Sequence, residues 1–175
     1  MFKSLALCVV FAATPLLAAD TNGAIAALKA LPEKYRAGVL KLSADNASPD
    51  PETWYVSAKA APDNKSTHSL EIAAGQIISD KPSIGLREIF SSANPIDLSK
   101  VLIDSRDAFG IAQGYAKASG KLIASVSFVL NQQGSAAVPV WSVWCYAPDG
   151  TYFGEMQLLA TDGAVISNNA FQKNP

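Results

Sequence analysis

The chain has little of the chemistry from which catalytic and metal sites are assembled: one histidine, His68, and two cysteines, Cys8 and Cys145, among 175 residues. Thiol catalysis needs an imidazole within hydrogen-bond reach of the sulfur, and a structural zinc site needs a spaced set of His and Cys. No such set exists, and His68 is the only base available to Cys145. A Gly-x-Ser-x-Gly elbow, a phosphate-cradling loop ending in Lys-Ser or Lys-Thr, and a dinucleotide fingerprint are all missing. Glu52, Glu71, Glu88 and Glu155 are scattered, while Asp104 and Asp107 suit the start of a helix. The sequence therefore predicts no catalytic residues, no metal and no cofactor. Cys145 reads as a small packed hydrophobe, and His68 as an exposed loop residue.

Charge is also scarce. Only 17% of residues are Asp, Glu, Lys or Arg, the formal net charge is -1, and no basic cluster stands out, which argues against nucleic acid as a partner. Hydrophobic residues make up 49%, enough material for an apolar core. Long apolar runs are absent outside the N-terminus, MFKSLALCVVFAATPLLAAD, where one lysine precedes an apolar stretch and small residues close at Ala18 and Ala19. This is the layout of a secretory signal peptide over residues 1–19, too short to span a bilayer as a stable helix. Its removal would leave 13 of the chain's 14 basic residues against 15 acidic ones, and a single cysteine that can form no internal disulfide. The expectation is an exported protein, periplasmic or secreted, with no stable membrane anchor after cleavage.

What is present is a repeat. WYVSAKAAPDNKSTHSLEIAAGQIIS from Trp54 matches WSVWCYAPDGTYFGEMQLLATDGAVIS from Trp141: each has Trp-x-Val, then Ala-Pro-Asp, then an apolar strand, a glycine and an Ile-Ser ending. Upstream of each lies a helical pattern. Ala24, Ala27, Leu28 and Leu31 share one face before Pro32; Ala108, Ile111, Ala112 and Tyr115 share another after an N-cap at Asp104 or Ser105. Gly110 and Gly114 weaken the second helix and suggest a close approach to the sheet. Each helix leads into a run of period two, AGVLKLS or LIASVSFVLN, and the turns fall at Pro62-Asp63-Asn64 and Pro148-Asp149-Gly150.

These patterns predict an α+β fold of two related helix-plus-three-stranded antiparallel modules (αβββ duplicated), at 20–80 and 100–175. A linker over 81–99 would contain a short helical turn or edge segment near Leu86 to Phe90 and pass into a short strand at Lys100 to Ile103. Units of about 60 residues bury too little surface to float apart, so the halves should dock.

The helix, the three strands, PVWSV, the central DG and the terminal DGAVIS resemble the PepSY family and its PepSY-like relatives. The resemblance is best over 103–167 and weaker over 22–79, where Asn64-Lys65 replaces the turn glycine and Ala74-Gly75-Gln76 the Asp-Gly ending. It implies an extracytoplasmic, non-catalytic module of the kind found in propeptides of thermolysin-type metallopeptidases, for which peptidase inhibition is a proposed general role. It supplies no catalytic residues.

Strand alternation separates an inner face, with Trp54, Val56, Ala58, Trp141, Val143 and Cys145, from an outer one. On the outer face of the second half, Trp144, Tyr146 and Phe153 would form an aromatic surface for a protein or peptide partner, because an apolar patch on a polar sheet face usually has a use. The alternative is that the first half or the linker covers this face. The predicted function is an exported PepSY-like protein that binds or regulates another envelope or secreted protein. A self-associating assembly factor and an enzyme of unrecognised type are the alternatives.

Overall fold

The computed structural model describes residues 22–47, 50–61, 66–83, 94–133 and 137–171. The signal-peptide reading, the Pro62-Asp63-Asn64 turn and the Leu86 to Phe90 segment lie outside them. In chain order the elements are α1 (Ala24–Ala30), α2 (Glu33–Arg36), β1 (Val39–Ala47), β2 (Thr53–Lys59), β3 (Thr67–Ala73) and β4 (Gln76–Pro82). A 3-10 turn at Leu98–Lys100 precedes α3 (Ser105–Ala118), β5 (Ser125–Gln133), β6 (Val138–Tyr146), β7 (Tyr152–Leu159) and β8 (Val165–Asn168).

The eight strands of the described residues form one antiparallel sheet in the order β4-β3-β2-β1-β5-β6-β7-β8. The expected pair of helix-plus-three-strand modules is therefore incorrect in two respects. Each half has a fourth strand, because Gly75 and Gly163 are turn residues at positive φ (70° and 77°) and the apolar residues beyond them pair back onto β3 and β7. The halves are also not separate sheets, since β1 pairs with β5 through Lys41/Asn131, Leu42/Leu130, Ser43/Val129 and Ala44/Phe128. The result is predominantly antiparallel sheet, with short helices packed on one face.

The inner face forms a single core: Leu42, Ala44, Trp54, Val56, Leu70 and Ile72 from one half join Phe128, Leu130, Trp141, Val143, Met156 and Leu158 from the other. Phe128 bridges the seam, its ring centroid 6.0 Å from both Trp54 and Trp141, which are themselves 6.3 Å apart. The two tryptophans are anchored alike. Trp54 Nε1 donates to Asn22 O at 2.8 Å and Trp141 Nε1 to Ile103 O at 2.9 Å, in each case two residues before the helix of that half. Burying an indole requires a partner for its N–H, and both find it in the backbone that starts the helix.

The helix N-termini meet. Asp104 caps α3 in a capping box with Asp107, and its Oδ1 also accepts from Ile25 N at 3.3 Å, while Ser105 Oγ accepts from Ala24 N at 3.3 Å. One carboxylate thus serves the otherwise unpaired donors of two helices. Gly23 is required here, because a Cβ would lie 2.6 Å from Asp104 Oδ2.

Helix α3 differs in detail from its sequence pattern. It buries Ser105, Ala108, Ala112 and Ala116, whereas Tyr115 is exposed. Gly110 and Gly114 do not mediate a close approach: both are exposed, and a Cβ at either would meet nothing within 4 Å. Residues 100–103 form no strand; Leu102 N and Ile103 N instead both donate to Ala160 O, tying the chain to the end of β7.

Candidate functional site

Because side chains alternate along every strand, the face away from the helices can be read row by row from the register. One row crosses all eight strands: Ser79, Glu71, Tyr55, Ser43, Val129, Ser142, Gln157 and Ser167. The next row contains Lys81, Ser69, Ser57, Lys41, Asn131, Val140 and Leu159. In the second half two further rows follow, Ser127/Trp144/Glu155 and Ser125/Tyr146/Tyr152.

The structure brings Trp144 and Tyr146 together but sets Phe153 apart. Trp144 is 42% exposed and Tyr152 50%, and the Tyr152 ring lies 6.2 Å from Trp144 and 5.7 Å from Tyr146. Tyr152 occupies the position that simple alternation gave to Phe153. The cause is a bulge: Cys145 pairs with Gly154 and Tyr146 with Tyr152, so the alternation shifts by one. Phe153 turns to the helix side, 5.7 Å from Phe171, with Lys121 Nζ 5.0 Å from its ring centroid and 2.5 Å from Ala170 O. Gly154 was the available signal, since a glycine inside a strand pattern marks a bulge or a close backbone approach. Its φ is 147°, and a Cβ there would collide with Ala170.

Glu155 completes the cluster. It stands directly opposite Trp144 in the β6/β7 ladder, and its Oε1 accepts from Gln157 Nε2 at 3.0 Å. Burial first, then the negative charge of Glu155 and the neighbouring Tyr146 and Cys145, push the Tyr152 hydroxyl above the usual tyrosine value.

The thiol and the imidazole do not meet. Cys145 is fully buried in β6, and its thiol is pushed up to about 12 by burial, a packed hydrophobe rather than a nucleophile. His68 sits in β3, four strands away in the sheet order, or about 19 Å at the usual strand spacing. It is not the exposed loop residue that the sequence suggested. Its Nδ1 lies 2.7 Å from Asp80 Oδ1 and 3.0 Å from the Tyr35 hydroxyl, which in turn donates to Asp80 Oδ2 at 2.7 Å.

This clasp ties α2 to the edge strand β4. Burial, with the hydrogen bond to Asp80 and its charge, pushes Tyr35 up to about 12. Burial would raise Asp80, but hydrogen bonds from Tyr35 and His68 and the charges of His68 and Lys34 outweigh it and hold the carboxyl below its ordinary value.

At the far end of β1 and β2, Asp45, Asp50 and Glu52 line a hollow, with Asp50 paired to Arg106 at 2.8 Å. Among the described residues no three His, Cys, Asp or Glu side chains are grouped to hold a metal ion. No helix of the described residues is long and apolar enough to cross a membrane. Comparison with protein-family models, with curated proteins and with solved structures returned no match to this chain.

Proposed function

We propose that this chain is an exported, non-catalytic protein of PepSY-like character that binds another protein through the face of its sheet opposite the helices. The observation that carries the reading is the composition of that face. Trp144, Tyr146, Tyr152 and Tyr55 stand among Ser43, Ser57, Ser69, Ser125 and the amides of Asn131 and Gln157. Rigid amphipathic rings among small adaptable polar groups are the mixture that non-obligate binding surfaces use, because tyrosine and tryptophan supply contact area with few rotatable bonds. The scaffold behind it is continuous and firmly packed, so these side chains are presented on a stiff support.

The PepSY resemblance makes an extracytoplasmic peptidase the first partner class to examine. The test is retention of proteins from the cognate envelope or secreted fraction on the immobilised chain, beside a Trp144→Ser/Tyr152→Ser variant with unchanged folding. A peptidase held by the parent and released by the variant supports the reading. Equal retention by both forms removes it.

A further inference from the structure

Three rings and a carboxylate gathered on one exposed surface raise the question of what complements them. In the cluster of Trp144, Tyr146, Tyr152 and Glu155, Trp144 and Tyr152 are exposed, and among the described residues no cation is seated on its rings. The cation–π contacts of the described residues use Tyr35, Phe153 and Phe171, and no described salt bridge involves Glu155. Glu155 Oε1 is engaged by Gln157, whereas Oε2 has no hydrogen-bond partner among the described residues. Aromatic faces attract cations through their quadrupoles, and a carboxylate beside them adds a directional acceptor. A planar guanidinium satisfies both at once, stacking on an indole while its N–H fork meets the carboxylate.

We propose that Trp144, Tyr152 and Glu155, flanked by Tyr146, form a subsite for an arginine side chain presented by the protein partner. The inference rests on the reading of this face as a protein-binding surface and names the group that the surface recognises. A second copy of this chain fits poorly, because a sheet face made largely of Ser, Lys and Tyr rows lacks the apolar area of an obligate dimer. Single-stranded nucleic acid would also use the rings, but Glu155 among them repels phosphate.

The three tryptophans provide the measurement. Trp54 and Trp141 are buried with their indole N–H groups bonded to backbone carbonyls, so their nitrogen-proton correlation peaks act as internal references, and the Trp144 peak reports the subsite. The isotope-labelled full chain is titrated with N-acetyl-arginine-N-methylamide and with its uncharged citrulline counterpart. The expected result is a saturable shift of the Trp144 peak with arginine alone. Glu155→Gln should weaken it about two- to fivefold at low salt, with the two reference peaks unmoved.

Equal shifts with citrulline, an unchanged response in Glu155→Gln, or no shift at all would overturn the assignment. So would a dilution-dependent mass that gives the face to a second copy, or an oligothymidylate that moves the Trp144 peak below the arginine concentration needed. An arginine response together with a partner that ignores Trp144→Ser/Tyr152→Ser would keep the subsite and remove the protein-binding reading of the whole face. A missing response with a partner still lost in that variant would do the reverse.

Discussion

Trp54 and Trp141 perform the same task in the two halves of the sheet, whereas Ser57 and Trp144, three residues further along each strand, do not. On the inner face the correspondence runs residue by residue, Trp54, Val56 and Ala58 against Trp141, Val143 and Cys145, all buried. On the outer face Tyr55, Ser57 and Lys59 stand against Ser142, Trp144 and Tyr146. Packing on a shared core constrains the first set, because a change of even one methylene is felt there. The second set lies outside that core, and there the halves differ where they meet solvent. The first half offers Lys41, Lys59 and Lys81 with Glu71, and the second offers the aromatic cluster with Glu155.

The strongest way to break this comparison is at the tryptophans. Trp54→Ala and Trp141→Ala should each destabilise the protein by about 3–5 kcal/mol, the usual cost of truncating a buried aromatic side chain. If the structural repeat is energetic as well as geometric, the two losses measured by urea denaturation should agree within about 1 kcal/mol. A much smaller loss at Trp54 would mean that the second half carries the core.

Where the halves differ inside, the difference is electrostatic. The Tyr35, His68 and Asp80 clasp of the first half contrasts with Lys121, Phe153 and Phe171 in the second. Tyr35→Phe removes a hydrogen bond to a carboxylate and should cost about 1.5–3 kcal/mol near neutral pH. It also changes the pH profile. With Tyr35 raised to about 12, the folded state keeps a proton that the unfolded chain releases near pH 10, so this stability is complete below about pH 10 and fades as pH climbs toward 12. Buried Cys145, raised to about 12, adds loss of the same sign from about pH 9.

Asp80, held low, gives the opposite limb: its contribution is complete above about pH 4 and is lost as pH falls below that. Urea midpoints across both ranges should show Tyr35→Phe flattening the alkaline loss to the share left by Cys145 and Tyr152 and making the acid loss shallower. Unchanged limbs would mean that the clasp adds nothing beyond packing.

Much of this frame was legible in the sequence. The Trp-x-Val repeat located β2 and β6, a cap at Asp104 or Ser105 located α3, with Asp104 the one that caps it, and Asp149-Gly150 located a turn that has Gly150 at φ 81°. What escaped has physical causes. The last strand of each half lies beyond a turn, Gln76–Pro82 and Val165–Asn168, largely exposed on both faces, so its stability comes from pairing with a neighbour rather than from its own pattern. The β1/β5 seam is a long-range pairing that no local period reveals. No local pattern places His68, because its partners, Tyr35 and Asp80, are 33 and 12 residues away. At the site, Trp144 and Tyr146 were readable from alternation. Alternation alone puts Phe153 where Tyr152 stands, because the bulge at Gly154 inverts parity.

The junction between the halves offers a smaller perturbation. Asp104→Ala should cost about 1–2 kcal/mol, the upper range for one cap, since it strips an acceptor from both α1 and α3. Asp104→Asn, which keeps an acceptor oxygen, should recover most of that loss. Thermal unfolding of the pair separates the capping bond from the charge.

The smallest expected effect is the one that best sharpens the contrast between the two faces. Trp144→Ser/Tyr152→Ser removes two large rings, yet both are about half exposed and neither belongs to the buried core. Surface substitutions of this kind change stability by about 0.5 kcal/mol or less. A thermal midpoint within a few degrees of the parent is therefore expected, although truncating Trp141, three residues before Trp144 on the same strand, costs several kcal/mol. Two tryptophans on one strand would then differ about tenfold in what they contribute to folding. A large loss from the double variant would instead mean that the rings hold the sheet together, and the case for keeping them exposed for a partner would fall with it.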